Sequence, residues 1–137
     1  MPPWSAMPYS AEAMARYLGA AEDGARRYVI EIDGAQAGAM AVRYPWLRGA
    51  YLELLAILPG FQTRGIGTAI LTWLEREASI REARNLWVCA SSFNEQALRF
   101  YARHGFAATA VLRGLVADGF DEVLLRKFPL GSDAGGP

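Results

Sequence analysis

Between residues 50 and 90 the chain changes its hydrophobic period twice. "AYLELLAIL" and "NLWVCA" are dense apolar runs of strand length. Between them, from Arg64 to about Ser79, Ile66, Ala69, Ile70, Trp73 and Leu74 fall on one helical face, while Glu75, Arg76 and Glu77 lie mostly away from it. Strand, helix and strand in that order make a crossover. Elsewhere the punctuation is that of hairpins: Asp33-Gly34 divides "RYVIEI" from "QAGAMAVRY", and a loop through Gly119 divides "FAATAVLRG" from "DEVLLRKF". Crossovers and hairpins together imply an α/β (α+β) chain with a mixed sheet and helices on both faces.

Two further helices complete the order. Ser10 can cap one through about Ala21, with Ala13, Met14, Tyr17 and Leu18 at helical spacing. The other runs from about Phe93 to His104, with Ser92 and Glu95 at capping-box spacing and Gly105 as its left-handed end. Pro45 to Gly49 is expected to turn the chain. At 137 residues there is room for one cored domain, placed at 1–130, with a disordered tail over 131–137.

Composition narrows the partners. Formal net charge is zero, so nothing global favours nucleic acid or an anionic membrane, and any anion site must be local. Cys89 is alone, which excludes an internal disulfide, and its setting in "LWVCA" suits a small buried side chain better than a catalytic thiol. No apolar run has membrane-spanning length, and "MPPWSAMPYS" lacks the basic flank and apolar core of a signal peptide. A cytoplasmic protein is expected. No His/Cys/Asp cluster has metal-ligand spacing.

The segment "LPGFQTRGIGTAI" puts Gly60, Gly65 and Gly67 where a strand hands over to a helix. A helix start exposes unpaired N–H groups and the positive end of the dipole. Bare glycines let an anion reach those amides, and Arg64 adds a forked cation, so the loop suits a diphosphate. Walker A fails because Ile66 stands where its lysine belongs. The dinucleotide fingerprint fails because Ile70 replaces its third small residue. The pattern met is Gln/Arg-x-x-Gly-x-Gly/Ala, as Gln62-Thr63-Arg64-Gly65-Ile66-Gly67.

On these residues "LAILPGFQTRGIGTAIL" resembles the acyl-coenzyme A binding motif of the GNAT superfamily of N-acyltransferases. "NEQALRFYARHGF" is similar to that family's later helix, Asn-x-x-Ala-x-x-x-Tyr-x-x-x-Gly-Phe, and "VADGFDEVLLRK" to its closing strands. The resemblance covers roughly residues 28 to 128. It implies a mostly antiparallel sheet whose two central parallel strands splay apart around acetyl-CoA. The amides of Gln62, Thr63, Arg64, Gly65, Ile66, Gly67 and Thr68 would hold the diphosphate. Backbone of Leu55, Ala56 and Ile57 would pair with the pantetheine arm. The family's usual initial strand is not expected in "MPPWSAMPYS": either the protein lacks it or the chain begins downstream of it, and a sheet edge left open by its absence would favour a homodimer.

Acyl transfer to an amine needs a base for the ammonium, whose pKa is about 10, and an acid for the departing thiolate. Asn94, Ala97 and Tyr101 share one helix face over about 10 Å, part of a pantetheine arm. The family comparison implies that Asn94 binds the arm and Tyr101 protonates the sulfur. Glu53 is the candidate base. Tyr51, Glu53, Leu55 and Ile57 alternate onto one strand face, and an acid in such a run is unusual. His104 sits at a helix C-terminus and is read as structural, and Arg99 and Arg103 as solvated charges near the phosphates. The acceptor is a small-molecule or peptide amine. It would enter opposite the cofactor, near "YPWLRG" and the loop from Leu115 to Phe120, with Tyr17, Tyr44, Trp46 and Phe120 as candidate aromatic walls. A non-catalytic acyl-CoA binding module is the competing reading, and a nucleotide hydrolase a third.

Overall fold

The computed structural model describes residues 24–62 and 65–130. Six strands and two helices follow one another as β1 (Ala25–Ile32), β2 (Ala35–Trp46), β3 (Gly49–Ile57), α1 (Ile66–Ile80), β4 (Asn85–Ser91), α2 (Glu95–Arg103), β5 (Ala107–Ala117) and β6 (Phe120–Lys127). The expected helix over 10–21, the segment expected to lack the family's initial strand and the tail over 131–137 lie outside the described residues. No helix among the described residues is long and apolar enough to cross a membrane.

The strands form one sheet in the order β1-β2-β3-β4-β6-β5. Every neighbouring pair is antiparallel except β3 and β4. Asp33 and Gly34 both take left-handed conformations, φ 51 and 83, as a tight hairpin turn between twisted strands requires. The turn expected from Pro45 to Gly49 is shorter: β2 continues through Pro45 to Trp46, and only Leu47 and Arg48 turn, at φ 45 and 63. β5 likewise runs on to Ala117, which reduces the loop expected over Leu115–Phe120 to Asp118-Gly119.

The sheet parts in the middle. β3 and β4 pair from Gly49/Asn85 to Leu52/Val88, after which β3 runs on to Ile57 and β4 to Ser91 without pairing to each other. At the same point on the other side of β3, Val42 faces Leu52 but Ala41 faces Leu54, leaving Glu53 as the extra residue of a bulge. A bulge bends its strand and raises the local twist. It also reverses the alternation, so Tyr51 and Leu55 lie on opposite faces and the single face read from the sequence for Tyr51, Glu53, Leu55 and Ile57 is not formed.

One face carries the core. Met40, Val42, Leu52, Leu55, Leu86, Val88 and Leu125 meet Leu71, Leu74 and Ala78 of α1 and Ala97 and Tyr101 of α2 in one cluster. Leu71 and Leu74 are wholly buried, and truncating such a leucine to alanine typically costs about 2–5 kcal/mol. Both described helices therefore pack against one face. "NLWVCA" proves buried on both, with Cys89 partly buried and hydrogen-bonded to Tyr51.

Candidate active site

The two helix starts are finished differently. α2 is capped by Asn94, whose Oδ1 accepts from the Ala97 amide at 3.0 Å, and Glu95 adds an acid to its first turn. The cap is thus Asn94, where the sequence pattern had pointed to Ser92. α1 begins after Gly65, in a left-handed conformation (φ 72), with no side-chain cap and no acid in its first turn. Its amides and the positive end of its dipole are left for an anion. Thr63 and Arg64 fall outside the described residues.

That bare helix start forms one end of a cleft of about 370 Å³. Gln62, Gly65, Gly67 and Thr68 line it at the loop, Leu55 and Ile57 along β3, and Gln96, Ala97, Phe100, Tyr101 and Arg103 along α2. Gly67 lets α1 and α2 approach closely: a Cβ there would lie 3.0 Å from the Phe100 ring. Gln62 Nε2 donates to the Ile57 carbonyl at 2.9 Å and staples the loop to the end of β3. His104 bridges the helices. Its Nδ1 lies 2.8 Å from the Phe100 carbonyl and its Nε2 3.1 Å from Thr68 Oγ1, the structural duty expected of it. Arg99 pairs with Glu95 on the surface, while Arg103 reaches the cleft wall.

Tyr101 is 4% exposed and packs edge-on against Phe100 and Phe106, at ring distances of 5.3 and 5.5 Å. Burial pushes its phenol above the ordinary value of 10.0, so it stays protonated at neutral pH. None of the described residues hydrogen-bonds its hydroxyl, which is unusual for a buried tyrosine and leaves a donor for a ligand. Ala97 and Tyr101 thus share the cleft. Asn94 does not line it, and its Oδ1 is spent on the cap.

Glu53 sits at the parting of the strands, held by the Arg43 guanidinium, whose Nη2 is 3.5 Å from Oε2 while Nε closes on Oε1. The expected aromatic wall does not assemble. Trp46 stacks on Tyr51 and meets Trp87, Phe120 meets Phe93, and Tyr44 lies beneath Arg81 in a separate depression. Tyr17 is outside the described residues. What the sequence reading missed is Glu122, 4% exposed on β6, whose Oε2 accepts from Ser91 Oγ at 2.8 Å. Its signal was present: "FDEVLLRK" alternates Glu122 with Leu124, an acid inside a buried strand run.

A sheet parted between two parallel strands, with an uncapped helix start beside the gap, is the architecture that the sequence resemblance implies for coenzyme A-dependent acyltransferases. The chain belongs to the acetyltransferase (GNAT) family, whose family model matches residues 2–106. It is similar to the streptothricin acetyltransferase of Streptomyces lavendulae, 30% identical over 105 residues, 72% of this chain and 56% of that one. The chain thus spans little more than half the length of that relative. The [Ribosomal protein bS18]-alanine N-acetyltransferase of Escherichia coli K12 is 26% identical over 130 residues, covering 93% of this chain and 82% of the relative. Among solved structures, nourseothricin acetyltransferase superposes with a TM-score of 0.69 at 26% identity, over 78% of this chain and 66% of that one. A GNAT acetyltransferase from Elizabethkingia anophelis with acetyl-CoA bound shares the fold, with a TM-score of 0.73 at 20% identity over 93% and 88% of the two chains.

Proposed function

We propose that the chain transfers an acetyl group from acetyl-CoA to a primary amine by direct attack. The observation that carries this reading is the cleft itself. At one end stand the uncapped amides of α1, and at the other the buried Tyr101 phenol, whose hydroxyl none of the described residues hydrogen-bonds. The donor set fits a coenzyme A ester: amides and a dipole for the diphosphate, Leu55 and Ile57 backbone beside an open strand edge for the amide-bearing arm, and a neutral phenol for the sulfur. When bound, the thioester supplies the activated acyl carbon.

The chain's residues have distinct tasks in this scheme. Gln62 to Thr68 position the phosphates and Gly67 gives them room. Leu55, Ala56 and Ile57, past the Glu53 bulge, present unpaired strand edge toward the gap. Tyr101 holds a proton for the departing sulfur, and the apolar packing around it excludes water from the thioester. Acceptors to try first follow from the relatives' names: streptothricin, and a peptide with an N-terminal alanine.

The test mixes purified protein with acetyl-CoA and an amine panel while free thiol is monitored. Thiol release that depends on amine supports the reading. No release, together with no binding of coenzyme A by calorimetry, ends it.

A further inference from the structure

β3 and β4 part beyond the pair Leu52/Val88, and the two faces of the sheet differ chemically there. The side facing α1 and α2 is the cleft just described. On the opposite face, beyond the last β3–β4 pair at Leu52/Val88, lie Cys89 and Ser91 of β4 and, directly across from Ser91, Glu122 of β6. An acyl group carried in from the helix side would therefore emerge beside these residues. The amine that attacks it must come from their side.

Two carboxylates stand near this opening, and their surroundings separate them. Glu53 is held by a guanidinium. Glu122 is buried, and among the described residues its only partner is the Ser91 hydroxyl, with no Arg, Lys or His in ion-pair range. A buried carboxylate without a cation is costly, and folds keep such groups where a ligand supplies the missing charge. We propose that Glu122 is the acceptor-side catalytic residue, binding the substrate ammonium and taking its proton. This rests on the acyl-transfer reading above and replaces Glu53 as the base.

The step balances. R–NH₃⁺ gives one proton to Glu122 and becomes the neutral amine. Nitrogen forms its bond to the acyl carbon as the C–S bond breaks, and the thiolate takes the Tyr101 phenolic proton. The second proton leaving nitrogen replaces that phenolic proton, and Glu122 returns its own to water. The sum is thioester plus ammonium giving amide, free thiol and one proton. Burial raises Glu122 above the ordinary carboxylate value, which brings it nearer to a competent base, while the Ser91 hydrogen bond opposes that shift. The groups facing it are Cys89 and Ser91 from β4, Tyr51 from β3 and, across the strand on β5, the apolar Leu112. Cys89 and Tyr51 are both pushed up by burial and stay neutral at physiological pH.

The experiment measures kcat/KM from pH 5 to 9 with acetyl-CoA and three probes: streptothricin, spermidine and an alanine-terminated peptide. Glu122→Gln is expected to lower kcat/KM by about 100-fold or more for each probe the wild type acetylates, and to abolish the rise of rate with pH. Acetyl-CoA affinity by calorimetry should stay within about twofold, since the cleft is untouched. Ser91→Ala, which keeps the carboxylate but removes its hydrogen bond, should move the rising limb to higher pH. A folded Glu122→Gln variant that keeps its rate within about threefold, with the limb intact, overturns the assignment alone. A wild type that binds acetyl-CoA yet acetylates none of the probes overturns the acyl-transfer reading, and Glu122 falls with it.

Discussion

Arg43 of β2 closes on Glu53 of β3 at the β3 bulge, one residue past Leu52 in the last β3–β4 pair, so an ion pair between neighbouring strands sits where the sheet parts. Both side chains are mostly buried, at 29% and 22% exposure. Removing one partner leaves the other's charge poorly solvated. Glu53→Gln is expected to lower stability by roughly 1–2 kcal/mol, between the values for exposed and buried pairs. Urea unfolding with an unchanged m-value checks it, and no loss would mean that the pair does not hold the bulge.

Tyr101→Phe removes a hydroxyl that none of the described residues hydrogen-bonds. It should leave acetyl-CoA affinity within about twofold and reduce kcat by about 10- to 100-fold. Because burial raises the phenol, unfolding stability should fall as pH climbs past 10.0, where the unfolded chain gives up this proton and the native chain does not. That alkaline loss should be smaller in the variant. Steady-state kinetics and pH-dependent melting test the two halves separately.

Gly67 faces the Phe100 ring across the mouth of the cleft. Gly67→Val should cut acetyl-CoA affinity by about tenfold or more, because its branches occupy the space in which the diphosphate meets the α1 amides. Gly67→Ala should cost less, since the tip of Phe100 can give by a few tenths of an ångström. Calorimetry with coenzyme A reads both, and equal affinity for Gly67→Val would place the diphosphate elsewhere.

Glu122 is held against its electrostatic preference. Its raised pKa favours the protonated native form, a contribution present below the ordinary value of 4.5 and lost as pH rises through the folded value. Glu122→Gln should therefore be more stable than wild type at pH 7, with the difference vanishing below about pH 4.5. A stability gain paired with an activity loss is the signature of a residue retained for function. Melting curves at both pH values decide it, and a destabilised variant at pH 7 would contradict it.

Much of this was legible in the sequence. Asp33-Gly34 marks its hairpin because few dipeptides accept two left-handed residues, and the spacing of the apolar residues from Ile66 to Leu74 marks α1 because only one period fits it. The glycine loop is readable as the start of α1, which begins after a left-handed Gly65 with no side-chain cap. The Glu53 bulge was not legible. Alternation assumes an unbroken pleat, and a bulge is fixed by the register against β2, a relation between distant residues. Asn94 and Ser92 both fit a cap, and only the geometry shows the Asn94 carbonyl oxygen on the Ala97 amide. Glu122 escaped because the residue that gives it meaning, Ser91, is adjacent only through the β4–β6 pairing.

The most direct measurement is a crystal structure with acetyl-CoA bound. The account predicts its diphosphate on the amides from Gln62 to Thr68, its arm along Leu55–Ile57, and its sulfur within hydrogen-bond distance of the Tyr101 hydroxyl. Coenzyme A lying outside the gap between β3 and β4, or a sulfur remote from that hydroxyl, would contradict it.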